Sequence, residues 1–141
     1  MWFAFILTWK QTNSNQRIKL KKKQYYIYVG QLKKDFAKTK KAKKKNPDAD
    51  LTKSCLYVGY SDKPPQERWD QHLNQARNDK GPLFSRVAAR WGENYLHWKK
   101  FKKHNPIPTK KLAEKLEEKI ALHYRDKGFT VWSDKLPYIN K

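Results

Sequence analysis

Arg68 and His72 stand four residues apart in the stretch ERWDQH. On a helix that spacing stacks them on one face, along the edge of an apolar stripe of Trp69, Leu73 and Ala76. A polar pair bordering a core face can look into a cleft; it can equally be a solvated helix face. The side-chain types suit a phosphate, because an arginine fork matches two of its oxygens and histidine titrates nearest neutrality. Tyr28 and Tyr57 each open a Tyr-Val-Gly string, within QYYIYVGQL and CLYVGY respectively. As isolated residues they read as sheet-face aromatics, which strands favour. Glu117 lies at the margin of a later apolar helical stripe, while Glu114 and Glu118 point away from it. Exposed helix glutamates commonly serve solubility and pair with lysine, so the margin position is what sets Glu117 apart.

The partner is indicated by charge. Among 141 residues, 33 Lys and Arg oppose 13 Asp and Glu, a formal net charge of +20. Such an excess on a chain of single-domain size implies a polyanion, nucleic acid before an anionic membrane surface. Much of it lies in one block, KKDFAKTKKAKKK, from Lys33 to Lys45. Like charges repel, so the block is either a solvated loop or a phosphate-contacting arm. Lys40, Lys41, Lys43, Lys44 and Lys45 are its candidate contacts, joined elsewhere by Arg86, Arg90, Lys99 and Lys100. Trp98 and Phe101, set between lysines, either stack on unpaired bases or pack a strand. The single cysteine, Cys55, excludes an internal disulfide framework and a cysteine-rich zinc site. It suits a reducing, cytoplasmic setting.

These candidates need strands and helices to hold them. Gln24 to Leu32 and Cys55 to Tyr60 read as strands, and Tyr26 and Tyr28 share one face of the first. Ser61 to Pro65 is a helix entry with proline in the first turn, and the helix runs to about Asn78. A short helix from about Leu83 to Trp91 stops at Gly92, and Tyr95 to Lys103 reads as a third strand. Thr109 caps a last long helix to about Lys127 with Leu112, Ala113, Leu116, Ile120 and Tyr124 as its stripe, ended by Gly128. Phe129 to Trp132 is a short final strand. The expected fold is a small α/β, α+β sandwich: a three-stranded, mainly antiparallel sheet flanked by helices, over residues 24–141, with a Lys-rich insertion at 33–54. Residues 1–23 are set apart as peripheral. Their apolar start, Met1 to Thr8, is too short to span a bilayer, and the polar stretch Gln11 to Gln16 separates it from the domain. No stable membrane association is expected.

The ordered set resembles the GIY-YIG nuclease superfamily. The two short motifs of that family sit on adjacent strands and are matched here by Tyr26-Ile27-Tyr28 and Tyr57-Val58-Gly59. The stretch YVGYSDKPPQERWDQH then supplies Arg68 and His72, and Leu116-Glu117 matches the late helical glutamate. The resemblance runs from about Gln24 to Trp132. Tyr26 stands where the first motif has glycine, the spacer between motifs is long, and Thr130 to Ser133 stand where the family often has asparagine. The resemblance implies a metal-dependent endonuclease acting on DNA, with RNA the second candidate. It implies one divalent ion, Mg²⁺ or Mn²⁺, held by Glu117, and Tyr28 as general base or water-positioning group. Tyr57 would orient water or the leaving group, Arg68 would stabilise the transition state, and His72 would assist proton transfer or bind phosphate. A non-catalytic DNA- or RNA-binding module on the same scaffold is the alternative. A basic membrane-surface or ribosome-associated protein anchored by Met1 to Thr8 is the third reading.

Overall fold

A computed structural model of the chain describes residues 23–75, 81 and 85–139. The expectations for residues 1–22 and for Ala76 lie outside the described residues; the helix expected to reach about Asn78 instead ends at Leu73 with Asn74 as its C-cap, and the one expected from about Leu83 begins at Arg86, after Ser85. Strand β1 (Tyr26–Leu32) and strand β2 (Cys55–Ser61) pair antiparallel over their full length, from Tyr26↔Ser61 to Leu32↔Cys55. β-Branched and aromatic residues fill both faces of the pair, and both faces are covered: Ile27, Val29, Leu56 and Val58 are fully buried on one side, and Tyr28, Tyr57 and Cys55 nearly so on the other. Side chains alternate across a strand, so two helical layers are needed. Helix α2 (Pro65–Leu73) supplies one, with Trp69 packed at a tilt against the rings of Tyr28 and Tyr57. The long helix α4 (Lys110–Asp126) packs on β1, β2 and the strand Thr130–Trp132 and supplies the other.

The sheet has four strands, ordered β3-β1-β2-β4, and not the expected three. β3 (Gly92–Leu96) pairs antiparallel with β1, while β4 (Thr130–Trp132) pairs parallel with Cys55–Tyr57 of β2. The third strand is therefore not Tyr95 to Lys103. That aromatic and basic stretch folds into two 3₁₀ turns, Trp98–Lys100 and Lys102–His104. Three residues per 3₁₀ turn bring Trp98 and Phe101, three apart, within 5.0 Å, with Phe101 buried in the core and Trp98 exposed.

The lysine block is likewise ordered and not a loop. It forms a 3₁₀ turn, Lys34–Lys38, and a short helix α1 (Lys40–Lys45) capped by the Thr39 hydroxyl. Phe36, Ala37 and Ala42 are the reason: they are spaced through the lysines and buried in the core. Asn46 follows, and its side-chain amide pairs with both the N–H and the C=O of Val131, at 2.9 Å each, on the outer edge of β4. Asn105 does the same for Ile27 of β1, at 2.8 Å each. Two asparagines thus stand in for missing neighbour strands. Helix α3 (Arg86–Trp91) is capped by Ser85 and ends at Gly92.

Thr109 caps α4 as expected, and Gly128 ends it with φ +96°. The buried line of α4 is rotated from the expected stripe. Leu112 is 49% exposed, whereas Ala113, Glu117, Ile120 and Ala121 are buried.

Candidate active site

One cleft, about 380 Å³, opens where β4 stops short of the end of β2. Tyr28 and Tyr57 reach it from the two central strands, Arg68 and His72 from α2, and Glu117 from α4. The five residues singled out in the sequence therefore converge. Their contacts follow from the elements. Register places Tyr28 opposite Gly59 and Gly30 opposite Tyr57, so all four share the face beneath α2. The two tyrosine rings stack, with centroids 6.1 Å apart and planes inclined by 20°. Gly59 leaves the room: a Cβ there would lie 2.6 Å from the Tyr28 hydroxyl and 3.0 Å from the Tyr57 ring.

Tyr28 Oη and His72 Nε2 are hydrogen-bonded at 2.8 Å in a buried setting. Burial, and then the Arg68 charge, push the His72 imidazole down to about 4, so the ring is neutral. Its Nδ1 is buried with no partner among the described residues, which leaves Nε2 as its route for a proton. Burial raises the Tyr28 phenol well above its usual value, helped by Tyr57 and opposed by Arg68. Tyr57 is raised by burial and by Asp134, with Ser85 hydrogen bonding in opposition.

Glu117 lies in the buried line of α4 and is 3% exposed. Burial, then the nearby Asp134, raise its carboxyl to about 8, against a hydrogen bond from Ser133 and the charge of Lys135. Its Oε1 is buried without a hydrogen-bond partner. A buried, unpartnered carboxylate oxygen facing a polar cleft fits a divalent ion, which commonly takes one or two carboxylates and keeps several waters. Among the described residues there is no cluster of three or more His, Cys, Asp or Glu side chains that could hold a metal, so Glu117 is the anchor such an ion would use. Glu114, the nearest competitor, instead bridges Lys135 at 3.3 Å, and Glu118 is exposed.

Several residues lining the cleft were not singled out in the sequence. Asp62 bridges Lys23 at 3.2 Å and Arg68 at 3.8 Å; SDKPP carried only the signal of a helix entry. Burial would raise its carboxyl, but the Lys23 hydrogen bond and the charges of Lys23, Lys63 and Arg68 bring it lower. Asp134 enters the lining through the turn after β4, and Ser133 beside it hydrogen-bonds Glu117, a placement that pairing of β4 with β2 creates and no local pattern announces. Tyr60 reaches the cleft from the α4 face, its hydroxyl raised to about 12 by burial and the neighbouring Glu114 and Glu117 carboxylates.

The candidate nucleic-acid contacts lie outside the cleft lining. Lys40, Lys41, Lys43 and Lys44 are exposed on α1, but Lys45 is buried, with Nζ 4.5 Å from the Trp132 ring and 3.4 Å from the Ser133 carbonyl. Arg86 and Arg90 are exposed on α3. Lys99 is exposed, and Lys100 Nζ sits over the rings of Tyr124 and Phe129 at 5.1 and 5.2 Å. Among the described residues, no helix is long and apolar enough to cross a membrane.

A family model for the GIY-YIG catalytic domain matches residues 48–130, more than half of the chain. The match includes Tyr57, Arg68, His72 and Glu117. It leaves out β1 with Tyr28, the strand whose motif has Tyr26 in place of glycine and which the Lys-rich segment separates from β2. Searches among curated proteins and among solved structures return no match.

Proposed function

The chain belongs to the GIY-YIG nuclease superfamily, and from that premise we propose that its cleft hydrolyses phosphodiester bonds of DNA with the help of one divalent ion, Mg²⁺ or Mn²⁺. The family carries nuclease-type activity and a nucleic-acid substrate; the choice of DNA, the ion and the residue roles are our reading. The observation that carries it is the 2.8 Å bond between Tyr28 and a neutral, buried His72, in the same cleft as Arg68 and as Glu117, whose Oε1 has no hydrogen-bond partner.

In this reading an attacking water gives a proton to the Tyr28 oxygen as the Tyr28 proton passes to His72 Nε2. A phenol of unperturbed pKa about 10 is a poor base alone; the relay spreads the charge onto imidazole. The pKa of His72 near 4 opposes that step before a phosphate approaches. The negative charge developing on the phosphate favours it, because a nearby anion stabilises imidazolium. Tyr57, stacked on Tyr28, restricts where the water can stand. Arg68 offers its fork to two phosphate oxygens, and Asp62 holds that fork at the cleft wall. Glu117 would hold the ion, which when bound supplies charge neutralisation at the phosphate and the leaving oxygen. Ionising a carboxyl of pKa about 8 makes ion binding release a proton near neutral pH.

The test is cleavage of plasmid and branched DNA with Mg²⁺ or Mn²⁺, beside Tyr28→Phe, Arg68→Ala and Glu117→Gln. We expect each variant to lose at least about 100-fold in rate, the scale of removing a positioned proton-transfer or charge-stabilising group. Equal cleavage by wild type and all variants overturns the reading. A non-catalytic DNA- or RNA-binding module has one observation in its favour, the absence of the Tyr28 strand from the family match. Its signature is DNA or RNA binding with no cleavage by the wild type.

A further inference from the structure

A second concavity lies beside α4, away from the cleft lining, with a volume of about 330 Å³. Four lysines ring it, Lys99, Lys100, Lys103 and Lys119, with His104 and His123 between them. No acidic side chain lines it, and none of the four lysines forms a salt bridge among the described residues. The cations are close enough to act on one another: after burial, the charges of Lys103 and Lys119 are what lower His104. Crowding like charges in a concave site raises the energy of the free protein, and an anion relieves it. The floor is apolar, made by Leu116, Ile120 and Tyr124. Lys100 is pinned over the Tyr124 and Phe129 rings, so part of the ordering cost of its contact is already met.

Position on α4 identifies the anion. Glu117 lines the cleft, and Leu116, Lys119, Ile120, His123 and Tyr124 line the groove, on the same helix. The six residue steps from Glu117 to His123, near the far end of the groove, span about 9 Å at 1.5 Å per residue. That covers two to three nucleotides at about 3.4 Å per step of one strand. We propose that this groove is a second nucleic-acid site, holding the phosphodiester backbone of the DNA strand two to three nucleotides from the scissile position. It rests on the nuclease reading for its register with the cleft, while the binding itself stands independently of cleavage. Holding thereby moves from the lysine block to α4.

The experiment measures binding of a fluorescein-labelled 20-base-pair duplex by anisotropy, in EDTA so that no cleavage intervenes, across a salt series. The variant is Lys99→Glu/Lys103→Glu/Lys119→Glu, three exposed positions whose change leaves the thermal midpoint in place. A control carries the same charge change at Lys33, Lys38 and Lys127, exposed residues lining neither cavity. We expect the groove variant to bind at least 10-fold more weakly than the control, with a salt slope lower by about 2 to 3, near 0.9 per lost phosphate contact. A Lys→Gln version of the triple variant should show the same loss in smaller measure. With Mg²⁺, Tyr28→Phe loses cleavage and keeps binding, which separates the cleft from the groove. Equal affinity and slope for groove variant and control overturn the proposal, as does displacement of the duplex by inorganic phosphate beyond the effect of its ionic strength, which would mark a free-phosphate pocket. If wild type cleaves nothing, the nuclease reading fails while the binding comparison still decides the groove.

Discussion

Glu117 is held by the fold in a state that water would not favour, and this has a pH signature. Its carboxyl is raised from 4.5 to about 8, first by burial and then by Asp134. Over that interval the folded protein keeps a proton that the unfolded chain releases, so Glu117 costs stability as pH rises. His72 and His97 act oppositely: burial lowers both from 6.5 to about 4, so folding is opposed as pH falls through that window. Between about pH 4.5 and 6.5 the unfolded chain binds the His72 and His97 protons, with lowered His104 acting in the same direction, against one on folded Glu117, and stability rises with pH. Between about 6.5 and 8 only Glu117 differs, and stability falls. The apo protein in EDTA should therefore show a thermal midpoint highest near pH 6.5. Glu117→Gln should remove the falling limb and raise the midpoint at pH 8 by at least about 3 °C, the response of such a domain to roughly 1 kcal/mol. A wild-type midpoint still climbing at pH 8 contradicts this. Gly59 gives a second residue-scale prediction. A methyl group 2.6 Å from the Tyr28 hydroxyl must push the phenol off His72. Gly59→Ala should cost about 1–3 kcal/mol in urea unfolding and lose cleavage as Tyr28→Phe does; retained cleavage would separate the hydroxyl position from the chemistry.

At the scale of elements, the strands and helices that carry Tyr28, Tyr57, Arg68 and His72 were legible because each has its own period and its own turn residues. Glu117 was legible only in part, since a helical stripe with Leu112 included is drawn about one position off the line that burial selects. The lysine block was the larger miss. Its charge hides three core residues, Phe36, Ala37 and Ala42, whose spacing is too short and irregular to register as a helix. Asn46 and Asn105 were invisible for a different reason: an asparagine reads as a turn residue, and only the folded sheet shows it replacing a neighbouring strand. Asn46 also donates to the Ala42 carbonyl at 2.9 Å, so it ties α1 to β4. Asn46→Ala leaves buried backbone groups of Val131 unpaired, and should lower stability by at least about 2 kcal/mol in a urea titration, at about 1–3 kcal/mol for each orphaned group. Lys40→Gln on the exposed side of the same helix should stay within about 0.5 kcal/mol of wild type. Deleting residues 33–45 should abolish cooperative unfolding, since it removes Phe36 and Ala42 together; a cooperative transition in the deletion would show that α1 is an appendage.

At the scale of the whole molecule, a net charge of +20 acts on DNA in two physically different ways. Charges on an exposed, solvated element that do not converge on one groove contribute through the long-range field, which speeds encounter and is screened by salt. Charges that converge on a groove act by contact and slow release. Helix α1 belongs to the first kind. Lys40, Lys43 and Lys44 lie on one side at i, i+3 and i+4 and are exposed, while Lys41 stands over the Trp132 ring at 5.5 Å. Replacing those three by Gln lowers the net charge from +20 to +17 (20 − 3) without touching the core. Stopped-flow association with a duplex at about 10 mM salt, where the screening length is about 30 Å, should show kon reduced about 2- to 5-fold and koff unchanged. The difference should vanish towards 1 M salt, where that length is about 3 Å. The groove variant should show the reverse, a faster koff with kon changed no more than in its charge-matched control. If the α1 variant instead dissociates faster, α1 grips the DNA directly, and its lysines belong to the binding surface.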